Sequence, residues 1–367
     1  MRTIDDSIVM TLDAGGTNFV FSAIQNYKVI TPMLTKPAFS DDLDQCLRQI
    51  VEGFQEIKNM LSESPVAISF AFPGPADYTQ GIIGDLPNMK AFKGGVALGP
   101  YLEEVFNIPV FINNDGNLFA YGEALCGALP MLNRRLESDN INKKYRNVIG
   151  LTFGTGFGSG VVIDGRLLTG DNDCGGDVWV FRNKFYPNKI IEESVSARAI
   201  TSVYNELTSQ QDNSLTPKDV FSIAEGELEG DQKAAQMSFS RLGEAAGDAI
   251  AHILTFIDGI VVLGGGLMRG SKYIMPALLN ELNSTLELNA NEITARLQMN
   301  VLHYEPEIKI DNLLNNQKNI KIPYSIQQIP YNPIKTTFIL KTTLGTSASI
   351  SLGAYAYALY KLGYLPN

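Results

Sequence analysis

The chain has 367 residues, of which 45% are hydrophobic, and a formal net charge of −10. That length suits two domains with full cores. The acidic balance offers no basic face in bulk, which argues against nucleic acid or a membrane surface as partner.

In chain order, Ile8 to Leu12 reads as a buried strand that runs into Asp13-Ala14-Gly15-Gly16-Thr17-Asn18, and a second strand follows from Phe19 to Ile24. The run before it, Met1 to Asp6, lacks the apolar core of a signal peptide. No apolar segment is long enough to span a bilayer, so a cytoplasmic protein is expected. Asp41 to Leu61 carries Leu43, Leu47, Ile50, Phe54, Ile57 and Leu61 at helical spacing, with Ser40 or Asp41 as the N-cap. Pro65 to Phe70 reads as a strand. Phe72 to Gly99 has no periodicity, is rich in Gly and Pro, and is long for a loop without a function. Pro109 to Ile112 is a short strand ending at Asn113-Asn114-Asp115-Gly116-Asn117, with a helix expected through Ala128.

Leu132 to Arg146 reads as a charged surface connection or a helical excursion. A strand from Val148 to Phe153 then enters Gly154-Thr155-Gly156-Phe157-Gly158, and a further strand includes Val161 to Ile163. Gln232 to Phe256 is a long helix with small residues at Gly243, Ala246 and Gly247. It leads to the strand Ile260 to Leu263 and the triplet Gly264-Gly265-Gly266. His303 to Thr343 is polar, with a strand expected near Thr336 to Lys341, and Ser347 to Leu362 reads as a closing helix. His252 falls in an apolar helical pattern and is expected in the core or an interface rather than as a ligand. Three scattered cysteines, Cys46, Cys126 and Cys174, favour neither a disulfide framework nor a thiolate metal site.

The two glycine turns share one context: strand, glycine turn, strand. Glycine lets the backbone approach a ligand closely and take positive φ. Successive N–H groups in such turns make an anion site. Two matching turns suggest two related domains holding one phosphorylated ligand between them. No G-x-x-x-x-G-K-[ST] pattern occurs, which excludes the P-loop class.

Taken in order, the first glycine turn, the strand ending in Asn114-Asp115, the second glycine turn and the triple glycine at 264–266 resemble the ROK family of sugar kinases and repressors, within the actin/hexokinase/Hsp70-type ATPase superfamily. The segment Asn114-Asp115-Gly116-Asn117-Leu118-Phe119-Ala120-Tyr121-Gly122-Glu123 is similar to that family's catalytic run. The resemblance implies an α/β fold of two ribonuclease H-like, actin-like ATPase domains with an interdomain cleft. Residues 1–114 plus 347–367 would form the N-terminal sugar kinase domain and 115–346 the C-terminal nucleotide-binding domain. It also implies ATP and Mg²⁺ as cofactors, a small-molecule sugar as substrate and a homodimer among its assemblies.

By the same resemblance Asp115 is the base that takes the proton of a sugar hydroxyl, and Asn114 binds sugar hydroxyls. The identical Asn-Asp-Gly triplet also suits a plain helix-capping turn. Asp13 would hold Mg²⁺ through water, with Gly15, Gly16 and Thr17 near the γ-phosphate. Gly154, Thr155 and Gly156 would meet the β- and γ-phosphates, and Gly264, Gly265 and Gly266 the adenosine. Gly74, in Phe72-Pro73-Gly74-Pro75, and Asn88, in Leu86-Pro87-Asn88-Met89, would touch the sugar.

The chain departs from the family after the second turn. Where the family has Gly-Glu-x-Gly-His, this sequence has Gly176-Asp177-Val178-Trp179-Val180, and no cysteine cluster follows, so no zinc site is expected. Asp177 and Glu193 are then the acceptor-side carboxylates. Trp179, the one tryptophan, either stacks on a sugar ring or fills the space of the missing His. The leading expectation is ATP-dependent phosphorylation of a hexose or hexose derivative (glucose, fructose or N-acetylhexosamine). A non-catalytic sugar-binding regulator of the same family is the alternative. The family's repressors need an N-terminal DNA-binding domain, and a first strand at Ile8 leaves no room for one.

Overall fold

In the computed structural model the described residues are 7–365, except 16, 85, 87–89, 210–213, 290–291 and 308–317. By contacts the chain forms two compact units. Unit 1 comprises residues 1–128, 159–176 and 342–367, and unit 2 comprises 129–158 and 177–341.

Unit 1 opens with β1 (Val9–Ala14), β2 (Asn18–Gln25), β3 (Lys28–Val29), β4 (Leu34–Pro37) and α1 (Leu43–Met60). Then come β5 (Ala67–Ala71), the short β6 (Ala76–Asp77) and β7 (Ile82–Ile83), α2 (Leu98–Phe106), β8 (Val110–Asn113) and α3 (Asp115–Leu125). Helix α1 forms where the apolar spacing predicts it and buries Cys46, Ile50, Phe54 and Ile57. Its N-cap is Asp42, not Ser40 or Asp41, and the Asp42 side chain accepts the Gln45 N–H. The strand order is β3-β2-β1-β5-β8, with β4 on β2. The β1–β2 pair is antiparallel, whereas β1–β5 and β5–β8 are parallel. The stretch from Phe72 to Gly99 is not structureless: it holds β6, β7, a 3-10 turn at Lys90–Phe92 and the start of α2. Such pieces are too short to leave a periodic signal in sequence.

The helix after β8 ends at Leu125, and a separate α4 (Ala128–Ser138) runs into the first part of the charged connection. Next are β9 (Val148–Phe153), β10 (Phe157–Ile163), β11 (Arg166–Leu167), α5 (Ala197–Thr208), α6 (Pro217–Glu225), α7 (Gln232–Phe256) and β12 (Ile260–Gly264). After these come α8 (Ser271–Leu282), β13 (Thr285–Asn289), β14 (Glu292–Ala295), β15 (Asn300–His303), β16 (Lys318–Lys321) and β17 (Gln328–Tyr331). The chain closes with β18 (Thr336–Lys341) and α9 (Thr346–Lys361).

The second sheet has the order β11-β10-β9-β12-β18-β15, and the division between the units falls inside β10. Its first five strands repeat the ordering of the first sheet. Helix α7 packs on α8 at very close range. A Cβ on Gly243 would strike the Ile274 carbonyl, and one on Gly247 would come within 2.8 Å of the Leu278 carbonyl. The polar stretch from His303 to Thr343 contains β18 where expected and, in addition, the β16–β17 hairpin. His252 is exposed, not in the core: it sits on the solvent side of α7, with Nδ1 2.8 Å from the Asp248 carbonyl. No described helix is long and apolar enough to cross a membrane.

Helix α9 packs in unit 1, and its Tyr355, Ala358 and Leu359 are buried with Val9, Ile24 and Ala67. It crosses α3 at the shortest range in that unit. A Cβ on Gly353 would strike the Leu118 carbonyl, and one on Gly122 the Ser349 carbonyl. At the end of α3 the fully buried Glu123 ties three helices together. Its Oε1 accepts from the Ser349 hydroxyl at 2.6 Å and from the Thr342 hydroxyl, and its Oε2 accepts from the Ala128 N–H at 2.8 Å.

Candidate active site

The unit 1 candidates gather at one edge of its sheet. Strands β1, β5 and β8 are parallel neighbours, and their registers place Asp13 beside Ala71 and Ala71 beside Asn113. Asp13 ends β1, Gly74 follows β5, and Asn114 and Asp115 follow β8. All four therefore lie at the carboxyl ends of adjacent strands, where open α/β sheets place their ligands.

Asn114 is the N-cap of α3, and its Oδ1 accepts the Gly116 N–H at 2.8 Å. The capping geometry and a site role thus share one triplet. Asp115 is the first residue of the helix, and its Oδ1 also accepts the Gly116 N–H at 2.8 Å. Desolvation pushes the Asp115 carboxyl above the ordinary aspartate range. The Gly116 and Asp115 N–H groups pull the other way, and the nearby Asp13 charge raises it further. Asp115 is nevertheless an exposed residue, open to solvent. Gly116 is needed because a Cβ there would run into the Ser159 backbone of β10.

In the first turn the Gly15 N–H donates to the Asn18 carbonyl at 3.1 Å, and the Thr17 carbonyl accepts from the Ala38 N–H at 2.9 Å. Gly15 and Thr17 are exposed. Gly16 and Asn88 lie outside the described residues. Gly74 precedes a cis peptide to Pro75, and a Cβ on it would sit 3.0 Å from the Tyr78 hydroxyl.

The unit 2 candidates also share one edge. Strands β9 and β12 are parallel, with Gly264 beside Thr152, so the turns Gly154–Gly156 and Gly264–Gly266 emerge side by side. Gly154 and Gly156 do not take positive φ; Gly265 does, at 92°. What the second turn requires of glycine is therefore space. A Cβ on Gly156 would lie 2.6 Å from the Glu192 carboxylate, whereas Gly154 and Gly266 face open space. The turn is fastened from behind. Gly154 N–H donates to the Gly156 carbonyl at 3.0 Å, and the Gly154 carbonyl accepts the Ala197 N–H at 2.8 Å. Phe157 N–H donates to Glu192 Oε2 at 3.0 Å.

Glu192 is the residue that sequence reasoning missed. Of the Glu192-Glu193 pair it chose Glu193, whose Oε1 is engaged by Arg198 Nη2 at 2.7 Å and Nε at 3.0 Å. Glu192 underpins the second glycine turn while also meeting Arg198 Nη2 at 2.9 Å. The doublet itself was the available signal. Which carboxylate turns toward Phe157 depends on the 3-10 turn at Ile191–Glu193. That turn packs on the 3-10 turn at Val178–Val180, which brings Asp177 and Trp179 into the same neighbourhood. Asp177 is exposed. Desolvation raises its carboxyl, and a hydrogen bond from the Trp179 side chain opposes the rise. Trp179 is 40% exposed and Val180 49%, so the tryptophan does not fill an interior space.

The Asp13 side chain has no hydrogen-bond or ion-pair partner among the described residues. Those residues also contain no group of three His, Cys, Asp or Glu side chains placed to hold a metal. A lone half-buried carboxylate fits a magnesium ion completed by phosphate and water, not a cage made by protein alone.

The first sheet carries antiparallel strands continued by parallel ones, the second repeats its strand order, and glycine turns stand at the carboxyl ends of strands in both. This is the actin-like ATPase fold. The ROK family pattern matches residues 9–303, and the chain belongs to the ROK family. A solved glucokinase from Parabacteroides distasonis is 52% identical and superposes with a TM-score of 0.86, covering 98% of this chain and 99% of that one. Glucokinase from Thermotoga maritima is 28% identical over 284 residues, 73% of this chain and 84% of the relative. N-acetyl-D-glucosamine kinase from Photobacterium profundum is 29% identical over 275 residues, 70% and 82% of the two.

Proposed function

We propose that this carbohydrate kinase transfers the γ-phosphoryl group of ATP to a hydroxyl of glucose or a related hexose, with Asp115 as general base. The observation that carries the reading is the placement of Asp115. It follows β8, the parallel strand at one edge of the first sheet, desolvated and close to the charge of Asp13. A carboxylate with a raised pKa is a better proton acceptor than one at the ordinary value, and general-base assistance is worth roughly 10²–10⁴ in rate. Kinase relatives acting on glucose and N-acetylglucosamine support sugar phosphorylation over a binding-only regulator.

In this reading Asn114, Gly74, Asn88, Asp177 and Glu193 meet the sugar. Gly15, Gly16, Thr17, Gly154, Thr155 and Gly156 meet the phosphates, and Gly264, Gly265 and Gly266 the adenosine. Residues 1–114 with 347–367 serve as the sugar kinase domain and 115–346 as the nucleotide domain. Asp13 holds magnesium through water, and the ion supplies charge neutralisation on the phosphates when bound. Glu192 keeps the second turn in shape, so that its N–H groups need no rearrangement as charge moves during transfer.

The test is a coupled ADP-release assay with Mg²⁺-ATP across glucose, fructose, mannose and N-acetylhexosamines. Sugar-dependent turnover is expected, with a fall of roughly 10²–10⁴ in Asp115→Asn. Turnover that survives Asp115→Asn unchanged would remove Asp115 from the mechanism. Absence of turnover on every sugar would remove the substrate class.

A further inference from the structure

The parallel strands β9, β12, β18 and β15 of the second sheet all run the same way. The glycine turns stand at their carboxyl ends. At their amino ends, the segments that lead into them line a cavity of about 840 Å³, formed chiefly by residues 139–147, 258–259 and 334–336. All of these residues belong to unit 2. Strand β9 has six residues, so about 20 Å of extended chain separates the cavity from the Gly154–Gly156 turn.

Charge in the cavity runs against that of the chain. Lys143, Lys144, Arg146 and Lys335 line it, opposed by Asp139 and Asp258. Asp139 is neutralised within its own helix region, because its Oδ2 pairs with Arg135 Nε at 2.7 Å. In a chain of net charge −10, a cavity with this balance selects anions.

Lys143 shows what kind of anion. Its Nζ donates to the Thr336 carbonyl at 2.6 Å and lies 4.5 Å from the centre of the Tyr145 ring. The Tyr145 hydroxyl donates to the same carbonyl at 2.7 Å, so that oxygen is filled. An ammonium has three N–H donors, and two of those on Lys143 have no acceptor among the described residues. The side chain is half-buried. Burial pulls its pKa down; Asp258 opposes that pull, and the charge of Lys335 adds to it. The side chains of Lys144 and Lys335 have no hydrogen bond or ion pair among the described residues. Three ammonium groups with donors to spare call for several acceptor oxygens and more than one negative charge. A phosphate monoester supplies three such oxygens and a charge near −2, whereas one carboxylate supplies two oxygens and a single charge. The cavity is larger than a phosphate group, and Asn140 and Asn142 on its lining offer amides to the rest of such a ligand.

We propose that this cavity is a second ligand site, which binds a small phosphate monoester with Lys143, Lys144 and Lys335 on the phosphate. The inference is independent of the catalytic reading, because none of the lining residues belongs to the proposed active site.

The test is isothermal titration calorimetry on the full chain with glucose 6-phosphate, AMP and citrate as probes. It is repeated in Lys144→Gln with Lys335→Gln, and in Thr155→Ala on the second glycine turn. Both lysines are exposed, so the double variant should keep the native circular dichroism. At least one of the two esters should bind the native chain with a Kd below about 1 mM. The double lysine variant should weaken that binding roughly tenfold or more, and Thr155→Ala should leave it unchanged. Whether glucose 6-phosphate or AMP is the tighter probe tells whether a sugar or a nucleoside carries the phosphate. The proposal is overturned if neither ester shows binding that depends on the lysines and not on Thr155. Citrate that binds in the same lysine-dependent way and as tightly as the better ester would overturn the assignment to phosphate.

Discussion

At the scale of single residues, two carboxylates do opposite things. Asp115 is held in its charged form at a cost, because its pKa is raised above that of the unfolded chain. Between the two values the unfolded chain binds fewer protons, so stability falls as pH rises through that window, and the penalty is present in full above it. Asp115→Asn should therefore melt higher than the native chain at pH 7 while losing turnover, a trade between stability and activity. The logarithm of kcat/KM should fall with unit slope as pH drops through an apparent pKa above the ordinary aspartate value. A native-like or lower melting temperature in the variant would show that the charge carries no such penalty.

Glu123 is the contrasting case, with every acceptor position matched to a donor. Glu123→Ala leaves two hydroxyls and one backbone N–H without an acceptor and should cost about 2–4 kcal/mol in urea unfolding. Glu123→Gln keeps one carbonyl oxygen and should cost about half as much. Equal losses in the two variants would mean that packing, not hydrogen bonding, holds this junction.

At the scale of elements, the crossing of α3 and α9 is the tightest constraint on the candidate base, since Asp115 begins α3. Gly122 and Gly353 let the two backbones approach where any Cβ would meet a carbonyl. Gly353→Ala should push the helices apart and cost about 1–3 kcal/mol. Hydrogen exchange is the direct check, with amides of α3 and α9 expected to lose protection ahead of those in α7. Unchanged protection would show that the helices accommodate a methyl group without moving.

Sequence reading at this scale succeeded on several elements long or buried enough to leave a pattern, though it left α5, α6 and α8 unassigned. Helix α7 and strand β18 have the bounds their periodicity indicates. It failed on β6, β7 and the 3-10 turns, where two or three residues carry no period. It also placed His252 inward because its neighbours on α7 are apolar. Its own position on the helix, four residues after Asp248, faces solvent.

At the scale of the whole molecule, ligand binding should be visible as stability. A ligand that binds only the folded chain adds about 2.7 kcal/mol at 100 times its Kd. ATP with Mg²⁺ should raise the melting temperature, and adding EDTA should remove most of that rise in the native chain. Asp13→Asn should respond to ATP as the native chain does in EDTA. A full ATP-induced rise in EDTA would dismiss a magnesium role for Asp13.

The sequence by itself determined the main core strands, the two glycine turns, the carboxylate at the end of β8 and the family, because these are local patterns of hydrophobicity and residue type. Tertiary structure alone decided the rest. It brought Thr152 beside Gly264 across some 110 residues, turned Glu192 rather than Glu193 under the second glycine turn, and joined Ala128, Thr342 and Ser349 on Glu123. It also brought Lys335 to the same cavity as Lys143 and Lys144. Each of these depends on which backbone passes within a few ångströms of another, and contacts between residues far apart in sequence are set by the packing of whole elements.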